Sequence, residues 1–255
     1  MIRRLDEAGR AQFLNAVRGC PYFGDVLPIH LAVFGESHAL MRFFFASPAA
    51  AIQVRGQSAL LCGSYDPEEV GAFLRMQGIR RVNLPARSAP PAGYRPIKTL
   101  YELALRQMFC APPAPALPGL ALDRAPPPSE ITDFLMCGET DFSARDNFYS
   151  ELCAKLNRGA AEVWAVRQNG ALAATAGAYA LSPDHAYLAA VETAEHLRGH
   201  GIGGWLTGML AKRFVESGRR VMLTCAENRI HFYERLGFAR ESEVVRYTNT
   251  AICGE

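Results

Sequence analysis

Seven prolines fall within CAPPAPALPGLALDRAPPPS, Cys110 to Ser129, and this stretch constrains the fold more than any other. Proline has no backbone donor, so neither a continuous helix nor a central strand can cross it. It reads as a boundary, within which GLALDRA, Gly119 to Ala125, opens the second half. The 255 residues are thereby expected to form domains over 1–115 and 116–255, both of ordinary domain size.

Each part shows the same local order. In the first, SALLCGS (Ser58 to Ser64) has the composition of a buried strand. A helix follows, with Asp66 as N-cap, Pro67 in its first position, Glu69 closing a capping box, Val70, Phe73 and Leu74 on one face, and Gly78 as its stop. IRRVNL, Ile79 to Leu84, is the next strand. In the second part, residues 162–167, 171–181 and 186–193 read as successive strands, with Gln168, Asn169 and Gly170 turning the chain between the first two. Ile202, Trp205, Leu206, Met209, Leu210 and Phe214 recur at helical spacing up to Gly218. The strand 220–225 and a short helix carrying Ile230, Tyr233 and Leu236, closed by Gly237, complete it. Trp164 and Trp205 sit in these apolar patterns and are expected in the core.

The segment richest in chemistry is LRGHGIGGWL, Leu197 to Leu206. Glycines here lead into an amphipathic helix, so several backbone N–H groups and the positive end of the helix dipole converge on one spot suited to a pyrophosphate. Gly199, Gly201 and Gly204 satisfy GxGxxG, but a dinucleotide fold needs the strand to run almost directly into the first glycine. Here TAEHLR intervenes. The chain after the loop is also too short for the rest of a doubly wound sheet.

Read from Arg198, the loop is R-x-x-G-x-G (Arg198, Gly201, Gly203) after a strand ending V-x-T (Val191, Thr193). It resembles the coenzyme A loop of the GCN5-related N-acetyltransferase (GNAT) superfamily. NRIHFYERLGF, Asn228 to Phe238, resembles that family's closing motif, one helix and one strand further on. The resemblance covers about 119–248. The whole chain looks like a subgroup with two tandem GNAT domains, the first degenerate. It implies an α/β (α+β) fold in which each domain has a mixed, mostly antiparallel sheet flanked by helices. It departs from the family where Ala194, Glu195 and Leu197 replace the usual proline and aromatic before the arginine. In the first domain GSYDPEEVG stands in place of the loop, and Asp66, Glu68 and Glu69 at a helix N-terminus oppose a pyrophosphate.

What the resemblance implies is an N-acetyltransferase that moves an acetyl group from acetyl-CoA to a primary amine by direct attack in a ternary complex. Cofactor contacts would come from Val191, Thr193, Arg198, Gly199, His200, Gly201, Ile202, Gly203, Gly204 and Asn228. The Val191 N–H would meet the acetyl oxygen, Thr193 the pantetheine arm, and Asn228 would cap the closing helix. Tyr233 would protonate the leaving thiolate, since a phenol of ordinary pKa near 10 keeps its proton at neutral pH. Glu192 is a candidate general base, as are Glu227 and His231. Cys225 reads as structural. A non-catalytic acyl-CoA-binding or partner-binding module is the alternative.

Composition excludes other classes. With 49% hydrophobic and 20% charged residues the chain is neither disordered nor fibrous. Its net charge of +2 carries no nucleic-acid or anionic-membrane footprint. The acceptor is thus expected to be a small-molecule or peptide amine, and oligomerisation is left open. Asp6, Glu7 and Arg10 interrupt the apolar run that a secretory signal needs, and no apolar stretch matches a membrane span, so a cytoplasmic protein is expected. Seven scattered cysteines (Cys20, Cys62, Cys110, Cys137, Cys153, Cys225, Cys253) have no metal-ligand spacing and are expected as buried, reduced thiols.

Overall fold

The structure is a computed structural model and describes residues 1–106 and 111–252. Its elements in chain order are β1 (Ile2–Arg4), α1 (Arg10–Val17), α2 (Phe23–Phe34), β2 (Arg42–Ala46), β3 (Pro48–Arg55), β4 (Ser58–Tyr65), α3 (Pro67–Met76), β5 (Arg81–Pro85) and β6 (Tyr94–Leu105). There follow β7 (Leu120–Asp123), α4 (Pro128–Leu135), α5 (Phe142–Asn157), β8 (Glu162–Gln168), β9 (Ala171–Leu181), β10 (His185–Thr193), α6 (Ile202–Glu216), β11 (Arg220–Ala226), α7 (Ile230–Glu234) and β12 (Phe238–Asn249). The described residues form two compact units. One is drawn from Met1–Glu102, Cys225–Glu227 and Glu241–Glu255, the other from Leu103–Thr224 and Asn228–Arg240.

Each unit is a mixed α/β body with a mostly antiparallel sheet and flanking helices. In the first, β1 to β4 pair antiparallel in order, β4 runs parallel to β5, and β12 adds antiparallel to β5. In the second, β7 to β10 pair antiparallel in order and β10 runs parallel to β11. Parallel neighbours need a crossover, which α3 and α6 supply. Strand, two helices, three-strand meander, crossover helix and parallel strand occur in both units, so the topology is duplicated although the residues are not.

Strand periodicity sorts the cores. In the first unit Val70 and Leu74 of α3 pack with Ala50, Ile52, Val54, Leu61, Val82 and Leu84. In the second, Ile131 of α4 and Leu152 of α5 pack with Val163 and Ala165 of β8. Ala174, Ala176, Ala178 and Ala180 of β9 are buried, and their small side chains allow α6 to lie close over that strand. Helix α5 carries a buried ion pair, Lys155 Nζ to Glu151 Oε1 at 2.7 Å, with side chains 4% and 9% exposed.

Several expectations need correction. Trp164 is core, but Trp205 is only half-buried. Cys62 and Cys225 are buried thiols, whereas Cys20 and Cys153 are half-buried and Cys137 is exposed, because Cys137 sits in the turn after α4. Cys110 and Cys253 lie outside the described residues. Asp66 caps α3 by accepting from the Glu68 and Glu69 N–H groups at 2.8 and 3.3 Å. The reciprocal half of the capping box is not made, since the Glu69 carboxylate holds the Met1 ammonium at 2.8 Å. Among the described residues no helix is long and apolar enough to cross a membrane.

Candidate active site of the second unit

Strand β10 is irregular where the chemistry is expected. Its register with β9 runs Ala189 to Gly177 and then Glu192 to Thr175, so Ala190 and Val191 oppose Ala176 alone. This is a β-bulge. Ala190 takes φ +52°, a left-handed conformation that a non-glycine residue adopts at a cost. The parallel register with β11 has already ended at Leu188 and Leu223. Val191 therefore has no register partner in either neighbouring strand.

After β10 the chain makes a 3-10 turn over Glu195–Leu197, pinned by buried Leu197. Arg198 then reaches back to the strand it has left. Its Nε donates to the Thr193 carbonyl at 3.2 Å and its Nη2 to Glu192 Oε1 at 2.9 Å. Gly201, at φ +81°, is the N-cap of α6; no side chain caps the helix, and no acidic residue occupies its first turn. The first N–H groups of α6 thus have neither an intrahelical acceptor nor a side-chain one, and they carry the positive end of the helix dipole. A Cβ on Gly199 or Gly201 would meet nothing within 4 Å, whereas one on Gly203 would sit 3.0 Å from Thr193 Oγ1. A side chain at 203 would thus press on the Thr193 hydroxyl. Ile202 is buried beneath the loop, and His200 Nδ1 lies 3.2 Å from the Arg198 carbonyl.

Tyr233 lies half-buried on α7, edge-on to Phe232 and Phe238 with centroids at 4.9 and 5.9 Å. Phe232 in turn approaches the Cα positions of Gly203 and Gly204, within 4.0 Å of a Cβ built there, so α7 lies beside the start of α6. Asn228 does not cap α7. It is exposed on a 3-10 turn, Glu227–Arg229, and the N-cap is Arg229, without a side-chain bond. The extra turn moves the cap one residue on. Glu227 belongs to the first unit, and exposed His231 lies 3.9 Å from Glu234. Cys225 is buried, in keeping with a structural thiol.

The structure therefore brings Glu192, Thr193, Arg198 and Gly203 into one cluster, with the bulge residue Val191 next in the chain and α7 alongside. Sequence reasoning missed Ala190 and Phe232. Nothing in an alanine announces a bulge, and the approach of Phe232 to Gly203 and Gly204 joins segments separated by a helix and a strand, which no local signal shows. Thr175, opposite Glu192, was also missed; its Oγ1 is buried with no hydrogen-bond partner among the described residues. A separate cavity of about 220 Å³, lined by Arg124, Ile131, Leu152 and Glu162 among others, shares no residue with this cluster.

The first unit has filled the corresponding place. Strand β4 runs almost directly into α3, and the Asp66 carboxylate takes the N–H groups that a phosphate would need. Gly63 at φ +108° stands where Ala190 stands in β10, yet β4 keeps unbroken register with β3. The chain itself covers the first turns of α3: the Ala92 N–H donates to the Pro67 carbonyl at 2.9 Å, and Arg75 Nη1 donates to the Ala92 carbonyl. A Cβ on Gly71 would be 2.3 Å from that carbonyl oxygen.

Residues 129–238 match the model of the Acetyltransferase (GNAT) family. No curated protein matches the chain. Among solved structures, the chain is similar to a GCN5-related N-acetyltransferase from Sphaerobacter thermophilus, at 16% identity and TM-score 0.65, covering 97% of this chain and 94% of that one. It is also similar to one from Kribbella flavida, at 18% identity and TM-score 0.62, covering 87% and 93%. A tandem GNAT protein from the clavulanic acid biosynthesis pathway aligns at 14% identity and TM-score 0.64, covering 97% and 98%. At such identities these likenesses speak for the fold of the whole chain, while the sequence match speaks for its later part. With a bulged strand, an uncapped glycine-rich helix start and a matching family model in one segment, residues 129–238 form a domain of the GNAT acetyltransferase family.

Proposed function

We propose that the second unit transfers an acetyl group from acetyl-CoA to a primary amine by direct attack in a ternary complex. The observation that carries this reading is the conjunction of the Ala190–Val191 bulge with the uncapped N-terminus of α6. One offers a backbone donor to a carbonyl oxygen and the other offers N–H groups to a pyrophosphate. Acetyl-CoA, when bound, supplies the activated thioester. Arg198 through Gly204 hold its phosphates, and Thr193 and Asn228 its pantetheine arm. The Val191 N–H polarises the acetyl carbonyl. Glu192 accepts the proton of the incoming ammonium, directly or through water, and Tyr233 Oη holds the proton that neutralises the departing thiolate.

The first unit is read as a structural or acceptor-shaping partner, because Asp66 and Ala92 occupy its counterpart of the loop. Isothermal titration with coenzyme A should give one site per chain, and Gly201→Glu, which sets bulk and negative charge at the phosphate position, should abolish it. Thiol release from acetyl-CoA across a panel of small and peptide amines then tests transfer. Two equivalent sites, or wild-type affinity in Gly201→Glu, would refute the placement; binding without turnover on any amine would favour a non-catalytic acyl-CoA module.

A further inference from the structure

Strand β9 carries a hydroxyl that the fold itself does not use. Thr175 lies between Ala165 of β8 and Glu192 of β10, its register partners, and is fully buried, at 0% exposure. Its Oγ1 has no hydrogen-bond partner among the described residues. Burying a hydroxyl in that state costs free energy that an apolar side chain of the same shape would not. Directly opposed residues of antiparallel strands share a face, with Cβ atoms about 5 Å apart. Ala165 belongs to the core beneath α4 and α5 and has no polar side-chain atom, and along β9 neither Ala173 nor Gly177 offers one. Across the other strand pair, Glu192 brings a carboxylate to the same face.

That carboxylate is turned to the loop instead, where Oε1 accepts from Arg198 Nη2 at 2.9 Å while Arg198 Nε donates to the Thr193 carbonyl at 3.2 Å. The arginine is thus engaged with β10 beside a helix start whose N–H groups have no cap. Both members of the ion pair are about half exposed, so their attraction is weak, and a guanidinium exchanges a carboxylate readily for a phosphate, which it can bind through two donors. We infer that Thr175 is a positioning residue for Glu192, which passes from Arg198 to the Thr175 hydroxyl when coenzyme A occupies the loop. This inference rests on the acetyltransferase reading of the second unit. The exchange leaves no group unpaired: Arg198 turns to phosphate, and Thr175 Oγ1–H donates to one carboxylate oxygen. The other oxygen is left to take the proton of the incoming amine. No covalent bond changes, and Glu192 is set as a base only in the cofactor-loaded protein.

The test joins a crystal structure of the full chain with coenzyme A to the kinetics of Thr175 variants. The complex should show Arg198 on a phosphate and a Glu192 oxygen within hydrogen-bond distance of Thr175 Oγ1, whether or not any amine is acetylated. Thr175→Val keeps the shape and removes the hydroxyl. It should hold the melting point and the KM for acetyl-CoA and lower kcat about tenfold, as expected for one hydrogen bond to a charged group; Thr175→Ser should restore the rate. In a Glu192→Gln background Thr175→Val should slow turnover no further, because the carboxylate it positions is gone. Equal losses in both backgrounds, or a serine variant as slow as the valine one, would make Thr175 a packing residue and overturn the inference. Bound coenzyme A with Glu192 still on Arg198 and Thr175 unpaired would overturn it too, and leave the transferase reading standing. A chain that gives no calorimetric binding of coenzyme A removes that reading and the exchange together.

Discussion

Arg198 Nη2 donates to Glu192 Oε1 at 2.9 Å, which ties the arginine before the glycine loop to the residue that closes the β10 bulge. Both side chains are about half exposed, and exposed pairs of this kind contribute roughly 0–1 kcal/mol. Glu192→Gln should therefore melt within a few degrees of the wild type. If Glu192 accepts the substrate proton, this variant should lower kcat by about 10²-fold, within the range for general bases, with little change in coenzyme A affinity. A variant that loses affinity and keeps kcat would show Glu192 to be only the anchor of Arg198.

Tyr233→Phe removes one hydroxyl and keeps the ring between Phe232 and Phe238. Packing and cofactor affinity should hold, and turnover should fall by roughly 10²-fold or more if the phenol protonates the thiolate. Unchanged turnover under conditions where chemistry limits the rate would remove Tyr233 from the mechanism. A fall explained by a lower melting point would make it a packing residue.

The Lys155–Glu151 pair is taken out of water inside the second unit. Lys155→Met takes the cation away from a buried carboxylate and should destabilise the protein by about 3–5 kcal/mol. Adding Glu151→Leu should restore most of that loss, because two apolar side chains need no partner. Urea denaturation of both variants reads the difference; a double mutant no better than the single one would show that Lys155 acts through packing.

Tyr94, buried with its hydroxyl donating to the Ile79 carbonyl at 2.7 Å, is pushed up to about 12 by burial, while the Arg75 charge pulls the other way. Its unfolded value is near 10. Between pH 10 and 12 the folded state therefore binds more protons than the unfolded one, and stability must fall as pH rises through that window. Denaturation midpoints at pH 9 and 11 should converge in Tyr94→Phe relative to the wild type. That variant should also be weaker at pH 9, since the Ile79 carbonyl loses its donor.

The sequence was most legible where local chemistry punctuates it. Asp66-Pro67 at one end and Gly78 at the other delimit α3, and Gln168, Asn169 and Gly170 mark the turn between β8 and β9. Helices α1 and α2 were not legible, because Gly19 and Pro21 separate them and Pro28 lies inside α2, where proline normally argues against a helix. The glycine loop could be read because backbone binding requires glycine itself. The bulge could not, because Ala190 has an ordinary strand side chain and its φ is imposed by the register on both sides. Nor did any local signal show that β12 pairs with β5, a contact that spans 163 residues between Arg246 and Asn83.

That pairing has a consequence for the order in which the protein can be made. Val244 to Thr248 cover the edge of β5, and they are translated only after all of Leu103–Thr224 and Asn228–Arg240. Until then the amino-terminal half emerges with β5 lacking one neighbour, an open edge of the kind that recruits other chains. Synthesis from the N-terminus thus cannot finish the first unit before the second has been translated, and a chain stopped at Arg240 would hold every residue of the second unit while the first still lacked the strand that covers β5.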